Sequence, residues 1–178
     1  MRKTLTLIGI LLVAAVAGLF AVAATRPDTF RVARATTIQA PPEAIAAHVN
    51  DFRAWQAWSP YEKLDPALKR TYAGPAAGVG AVYAYEGNDK VGAGRMEILE
   101  TSPARTVLAL NFIKPMEAHN VAEFTYEPQP GGVTKVTWAM SGPMPLMGRV
   151  MGLFFDMDAM VGKDFETGLA NLKKVSET

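Results

Sequence analysis

The feature that most constrains this chain is an apolar stripe near its carboxyl end. Over residues 146–172, apolar side chains recur at spacings of three and four, the period of one face of an α-helix. The spacing predicts one long helix, and a stripe of this kind must pack against another element. Its members are Met147, Val150, Met151, Phe154, Met157, Val161, Phe165, Leu169 and Leu172.

Methionine is concentrated in and just before this predicted helix. Six of the nine methionines fall within residues 140–160. Thioether side chains are unbranched and adapt to irregular partners. The concentration predicts a deformable wall of a cavity.

The residues before the stripe read as short β-strands separated by turns. Alternating apolar segments are divided by glycine, proline, asparagine and serine, the pattern of an antiparallel sheet. Proline and acidic residues after the first strand predict two short helices, the first from Pro42 and the second, capped by Asn50-Asp51, through Trp55. The predicted strands span residues 30–39, 68–72, 80–86, 91–100, 106–113, 118–127 and 133–140.

The amino-terminal segment is apolar enough for a membrane. Residues 5–24 carry no charge, and roughly 20 residues at about 1.5 Å each span a hydrocarbon core of about 30 Å. We therefore predict a transmembrane anchor in residues 1–25 and a ligand-binding domain in residues 26–178. Arg2 and Lys3 favour a cytoplasmic amino terminus, which places the domain on the extracytoplasmic side. The alternative is a signal peptide cleaved after Ala21-Val22-Ala23, with export of the domain.

Composition and motifs exclude several classes of protein. The net charge is +1, without the basic runs of a nucleic-acid-binding protein. The chain has no cysteine, and its two histidines, His48 and His119, lack metal-ligand spacing. Phosphate loops and nucleophile elbows do not occur. We expect no metal, cofactor or nucleic-acid partner.

The predicted order of elements is one strand, two short helices, six strands and a long helix. Characteristic stretches within it are residues 40–45 (Ala-Pro-Pro-Glu-Ala-Ile), 50–52 (Asn-Asp-Phe), 58–60 (Trp-Ser-Pro), 78–80 (Gly-Val-Gly), 91–96 (Val-Gly-Ala-Gly-Arg-Met) and 133–138 (Val-Thr-Lys-Val-Thr-Trp). Over residues 30–172 the chain resembles the α+β helix-grip fold of the START-like, pollen-allergen-like superfamily. Within it, the chain resembles the SRPBCC, polyketide cyclase/dehydrase-like proteins. The resemblance implies a seven-stranded curved sheet wrapped around the last helix, with a hydrophobic cavity between them.

Alternation along the strands assigns side chains to the cavity. Residues two apart share a face of a strand, and the face toward the helix is almost entirely apolar. The predicted cavity residues on strands are Tyr85, Met96, Leu110, Phe112, Asn120, Phe124, Tyr126, Trp138 and Met140, and those on the helix are Met147, Met151, Phe154, Asp158 and Val161.

Asp158 is the charged exception within the stripe. A carboxylate there is costly to desolvate unless it is paired or protonated. A raised pKa would suit Asp158 to general acid or base catalysis. The alternative is a position at the edge of the stripe, or an ion pair with an arginine such as Arg95 or Arg149.

Trp55, Trp58 and Tyr61 cluster before the second strand. Amphipathic aromatic side chains suit a lid over the cavity, its rim or a membrane interface. The alternative is a small core beneath the short helices. Of the two tryptophans, we assign Trp55 to the core and Trp58 to the rim.

These observations favour binding over catalysis. The leading hypothesis is a membrane-anchored domain that binds, and by extension transports, a lipid, isoprenoid or polyketide-like molecule. Asn120, Tyr85, Tyr126 or Asp158 would orient its polar end. One alternative is a cyclase or dehydratase in which Asp158 acts with an inward tyrosine. The other is a protein-interaction module whose groove holds an apolar segment of a partner.

Overall fold

The computed structural model describes residues 2–178, without the side chains of Arg2, Lys3 and Leu5. The topology prediction rests on the charged side chains of Arg2 and Lys3, which lie outside the described part of the chain. Helix α1 spans Arg2–Ala24. Within it, Thr6–Ala24 is long and apolar enough to cross a membrane, with a mean hydropathy of 2.8 and few buried residues. An anchor and a signal sequence share these properties.

The predicted seven-stranded antiparallel sheet is confirmed. Its spatial order is β1-β7-β6-β5-β4-β3-β2, so that the first and last strands pair along their whole length. A β-bulge between Ile98 and Glu100 shifts the register of the fourth strand. The strands are β1 (Thr29–Ile38), β2 (Lys69–Ala73), β3 (Val82–Glu86), β4 (Ala93–Thr101), β5 (Arg105–Lys114), β6 (Ala118–Gln129) and β7 (Val133–Pro143).

Two short helices follow β1, as predicted, but the second begins later than expected. Helix α2 spans Pro42–Asn50 and α3 spans Trp55–Trp58, followed by a 3₁₀ turn at Pro60–Lys63. The Asp51 side chain accepts a hydrogen bond from the backbone N–H of Arg53 (2.8 Å). This local turn competes with helix and delays its start.

The prediction of one continuous helix over residues 146–172 is wrong. The chain forms α4 (Leu146–Met151) and α5 (Met157–Ser176), separated by residues 152–156. Asp156 is the N-cap of α5, where its side chain accepts a hydrogen bond from the backbone N–H of Ala159. Helix α4 packs against α1, so its apolar residues are not part of the stripe that covers the sheet.

Helix α5 lies on the concave face of the sheet, and an aromatic core fills the space between them. The Trp138 and Phe165 rings stack with centroids 4.1 Å apart, and Trp55, Trp58 and Phe124 pack around them. A Cβ atom on Gly168 would lie 2.6 Å from the Trp138 ring, so glycine lets the helix approach this closely. The α+β helix-grip architecture is therefore confirmed.

Candidate ligand-binding site

An apolar cavity of about 330 Å³ lies between the sheet and α5. Its walls are formed by the inner faces of β3 to β7, by α5, and by the segment from α3 to β2. The lining residues are Trp55, Ser59, Tyr61, Glu62, Leu68, Tyr83, Tyr85, Lys90, Val91, Met96, Leu108, Leu110, Phe112, Lys114, Pro115, Ala122, Trp138, Met140, Val161, Asp164 and Phe165.

The register of the sheet builds the floor of this cavity. Leu110 pairs with Met96, which pairs with Tyr83, so that these three inward side chains form one row across β5, β4 and β3. In the next row, Gly94 lies between Phe112 and Tyr85. A Cβ atom on Gly94 would lie 2.5 Å from the Tyr85 hydroxyl. Because Gly94 has no side chain, the Tyr85 ring can lie over it and form part of the cavity wall.

Three of the four exposed lining residues of the cavity lie at one end of the sheet. The exposed lining residues are Lys90, Lys114, Pro115 and Asp164, whereas Leu108, Ala122, Trp138 and Phe165 are buried. Lys90 lies in the β3–β4 connection, and Lys114 and Pro115 lie where β5 ends. The mouth is therefore at this end of the sheet, and the aromatic core closes the other.

Two tyrosine hydroxyls supply neutral polar groups to the wall. Burial raises the pKa of Tyr85 to about 12, and the Tyr85 hydroxyl makes no hydrogen bond within residues 2–178. Burial, and then the negative charge of neighbouring Asp164, also raises the pKa of Tyr61 above its ordinary value. Both phenols therefore stay protonated at physiological pH and act as hydrogen-bond donors.

A buried ion pair forms the polar part of the wall. The Glu62 side chain is only 5% exposed. Its carboxylate accepts hydrogen bonds from Arg70 Nε at 2.6 Å and from the Tyr83 hydroxyl at 2.5 Å. Burial, and next the bond to Glu62, raises the pKa of Tyr83. Each polar atom here has a partner, which offsets the desolvation cost of the charge.

Half of the predicted cavity residues line the cavity, and half do not. Those that line it are Tyr85, Met96, Leu110, Phe112, Trp138, Met140 and Val161. Phe124 and Tyr126 face inward as predicted but are buried in the core, where the Tyr126 hydroxyl lies 3.0 Å from Thr106 Oγ1. Asn120 also faces inward, and its buried Oδ1 atom has no hydrogen-bond partner in the described part of the chain.

Met147, Met151 and Phe154 were placed in the cavity by the prediction of an unbroken helix, and this placement is wrong. All three are exposed, on α4 and in the connection that follows it. Because the helix is broken before α5, the side chains of α4 lie beside α1 and not over the sheet.

Among the three residues predicted for a lid or rim, only Tyr61 is partly exposed. The assignment of Trp55 to the core agrees with its burial, although its ring also borders the cavity. The assignment of Trp58 to the rim is wrong, since it is fully buried. Its indole N–H donates to the His48 carbonyl oxygen at 3.2 Å, which satisfies the one polar atom of the ring.

Asp158 lies outside the cavity, at the start of α5. Its side chain is 59% exposed and is paired with Arg34 at 2.9 Å, not with Arg95 or Arg149. Hydrogen bonding to Arg34 lowers the pKa of Asp158, the opposite of what an acid–base role requires at neutral pH. Arg34 faces inward from the edge strand β1 and also contacts Glu166. Its guanidinium occupies the position of an absent side chain at Gly162.

We predict that Asp158→Asn leaves binding of a hydrophobic probe unchanged. It should also remove a pH-dependent part of the stability. Since the folded pKa of Asp158 is lowered, its ion pair stabilises the native state above the ordinary pKa of 3.8 and loses this effect as the pH falls further. Acid unfolding, followed by circular dichroism, should therefore be less steep in the variant. Loss of probe binding in Asp158→Asn at pH 7 would contradict the placement of Asp158 outside the site.

The structure adds polar residues that sequence patterns did not reveal. Glu62 lies in an irregular segment, where no period assigns its side chain to a face. Asp164 lies three residues after Val161 and one before Phe165. This helical spacing was the signal in the sequence that Asp164 shares a face of the helix with these cavity residues. Within residues 2–178, no group of three or more metal-ligating side chains comes together.

A curved antiparallel sheet that encloses an apolar cavity beneath a carboxyl-terminal helix defines a helix-grip domain with a hydrophobic pocket. The model of the family described as polyketide cyclase/dehydrase and lipid transport matches residues 29–177. The chain belongs to this family, as its resemblance to the SRPBCC proteins predicted. A search of curated proteins finds no match. Family and cavity together support hydrophobic-ligand binding as a general activity.

Solved structures share the fold at low sequence identity. A Chromobacterium violaceum protein (CV1439) is 17% identical with a TM-score of 0.58, covering 86% of this chain and 99% of its own. The Aha1 dimer from Colwellia psychrerythraea is also 17% identical, with a TM-score of 0.58 and coverage of 83% and 96%. The di-domain ARO/CYC BexL from the BE-7585A biosynthetic pathway is 17% identical with a TM-score of 0.61, covering 86% of this chain and 52% of its own.

Proposed function

We propose that this protein is a membrane-anchored binding protein for one small hydrophobic molecule, which it holds between the sheet and α5. The observation that carries the proposal is the apolar cavity of about 330 Å³, closed at one end by aromatic rings. Burial of apolar surface, at about 25 cal/mol per Å², would drive binding. The inner end of the cavity is enclosed by buried side chains of the sheet and of α5, Leu108, Ala122, Trp138 and Phe165, which favours a small molecule over a segment of a protein partner.

The volume limits the size of the ligand. A cavity of about 330 Å³ is at the lower end of the range of about 300–1,000 Å³ for small-molecule sites. A single short acyl or isoprenoid chain, or a compact polyketide-like ring system, matches this size. A phospholipid with both of its chains enclosed does not.

The distribution of polar groups gives the ligand a direction. The buried end of the cavity is apolar, at Leu108, Ala122 and Trp138, whereas Lys90 and Lys114 lie at the mouth. We propose that the apolar part of the ligand enters first and its polar end stays near the mouth. The Tyr85 hydroxyl would donate a hydrogen bond to an oxygen of that end.

The apolar helix α1 supports the proposed location at a membrane. In this proposal residues 1–25 stay attached as a transmembrane anchor, and residues 26–178 form the binding domain on the extracytoplasmic side. The anchor would keep the domain beside the source of an apolar ligand, which suits binding coupled to transport. In the alternative, cleavage after Ala23 would release an exported domain. Amino-terminal sequencing of the mature protein separates the two.

One observation favours a second candidate function, a cyclase or dehydratase. Asp164 and Tyr61 lie together on the cavity wall, so a carboxylate acceptor and a phenol donor would face one substrate. This pair replaces Asp158 as the acid–base candidate. If the protein is an enzyme of this type, both Asp164→Asn and Tyr61→Phe should bind substrate but lose turnover.

We expect a specific hydrophobic compound to copurify with the full-length protein. The chain would be purified in lipid nanodiscs from its own cells, extracted with organic solvent and analysed by mass spectrometry. A matched preparation of Leu110→Trp, which places an indole in the cavity, controls for lipids of the disc. A compound enriched with the wild type over the variant supports the proposal and gives the ligand class. Identical extracts, together with no binding of apolar fluorescent probes, would count against a preformed site.

A further inference from the structure

The end of the sheet at which α1 joins the domain is also the end at which the cavity opens. Strand β1 begins at Thr29, opposite Pro143 at the end of β7. In the alternating strands that follow, β6 begins at Ala118, β5 ends at Lys114, and β4 begins at Ala93 opposite it. These strand termini lie side by side at one end of the sheet. The mouth of the cavity, at Lys90, Lys114 and Pro115, therefore lies on the side of the domain that faces the anchor.

Large apolar side chains are exposed at this same end. The segment 146–160, which we name the apolar ledge, contains α4, its connection to α5 and the first turn of α5. Phe154 is 66% exposed, and in the β5–β6 turn beside the mouth Met116 is 77% exposed. Several large apolar side chains that are exposed close together mark a surface that contacts a partner or a membrane. The exposed apolar residues of the ledge are Leu146, Met147, Met151, Phe154, Phe155 and Met160.

Direct contacts fix the ledge to the end of α1. Arg149 Nη1 donates to the carbonyl oxygens of Ala24 at 3.3 Å and Arg26 at 3.2 Å. Ala23 of α1 and Val150 of α4 are both buried at this junction. The ledge therefore begins where the apolar helix ends, and its position relative to α1 does not depend on a flexible linker.

The connection between α1 and β1 is too short to hold the domain away from a membrane. Only residues 25–28 separate the two elements, and four residues reach at most about 14 Å when fully extended. The connection is also held to the domain, because the Met144 N–H donates a hydrogen bond to the Asp28 carbonyl oxygen at 2.6 Å. If Thr6–Ala24 spans the bilayer, the ledge lies at the level of the lipid headgroups.

We infer that the apolar ledge and the β5–β6 turn dock on the surface of the bilayer that α1 spans, so that the mouth of the cavity opens directly onto lipid. The inference rests on the proposed anchoring by α1. Phenylalanine and methionine side chains would insert beside the headgroups, while Arg26 and Lys114 extend to the phosphates. A ligand would then pass from the membrane into the cavity without crossing water.

The absence of cysteine permits a direct test in the full-length chain. Single variants Phe154→Cys and Met116→Cys would carry an environment-sensitive fluorophore in phosphatidylcholine vesicles that contain nitroxide-labelled lipid. Val79→Cys is the matched control, because Val79 is 56% exposed but lies between β2 and β3 at the opposite end. Ala14→Cys reports on insertion of α1 itself.

We expect quenching at residues 154 and 116 to be at least about twice that at residue 79, since docked side chains lie about 5–10 Å deep, within reach of the nitroxides. Quenching at residue 14 with only control-level quenching at 154 and 116 would overturn the docking alone. Control-level quenching at all three positions would overturn the anchoring as well. Neither result depends on the ligand, so copurification of a ligand tests the binding proposal separately.

Discussion

Leu110→Trp is expected to weaken binding of a hydrophobic ligand or probe at least tenfold while the domain stays folded. Leu110 lies in the middle of the cavity floor, between Met96 and Asn120 in the register of the sheet. An indole at this position would occupy part of the 330 Å³ that the ligand needs. Tenfold weaker binding corresponds to a loss of about 1.4 kcal/mol of binding free energy. Burial of one ring-sized apolar group of the ligand contributes more than this, so its exclusion from the cavity is enough to explain the loss.

The matched control for this substitution is Leu99→Trp. Leu99 is exposed in the β-bulge of the neighbouring strand β4 and does not line the cavity, so its replacement adds the same indole without filling the site. Both variants should keep the wild-type circular dichroism spectrum. Titration with an apolar fluorescent probe would measure the dissociation constants. Wild-type affinity in Leu110→Trp, or an equal loss in Leu99→Trp, would show that the probe binds elsewhere.

The sheet could be predicted from the sequence because its residues alternate with a clear period. One face of β6 carries Asn120, Ala122, Phe124 and Tyr126, all buried, and their alternation with exposed His119 and Val121 fixes the register. Turn residues separate the strands at nearly every connection. Local pattern and tertiary packing agree here, so the order of strands and the inward side chains follow from sequence.

The break between α4 and α5 could not be predicted from periodicity, because two different contacts produce one apparent stripe. Val150 is buried at the junction with α1, whereas Phe165 and Leu169 are buried against the sheet. Both groups have helical spacing, and only the three-dimensional position of α1 distinguishes them. Asp156, which caps α5, and Gly152 were the available local signals for a boundary.

The polar part of the site depends on contacts between residues far apart in the chain. Glu62 has no periodic neighbour, and its partners come from β2 and β3. Asp158, by contrast, does have the helical spacing of the apolar stripe. Its carboxylate nevertheless pairs with Arg34 on the edge strand β1 and does not face the cavity. Which carboxylate faces the cavity and which is neutralised at its border is therefore decided by tertiary structure.

Arg70→Met is expected to lower the free energy of unfolding by about 3 kcal/mol, because it leaves the Glu62 carboxylate buried without its cation. Glu62 is 5% exposed, whereas Arg70 is 24% exposed, which places the effect at the lower end of the range for broken buried pairs. The thioether side chain preserves much of the apolar volume. Urea unfolding of the full-length protein in mild detergent, followed by fluorescence of the three buried tryptophans, measures the change.

Two further variants separate loss of the buried pair from a general loss of charge. Arg105→Met breaks an exposed pair with Glu100, and we expect only a small change because water screens such pairs. The double variant Glu62→Gln/Arg70→Met removes the stranded charge, while the amide oxygen still accepts a bond from Tyr83, so it should recover most of the lost stability. If the double variant is no more stable than Arg70→Met, the cost comes from lost packing around Arg70. In that case the Glu62 carboxylate reaches water through the cavity, and this wall of the site is open to polar ligand groups.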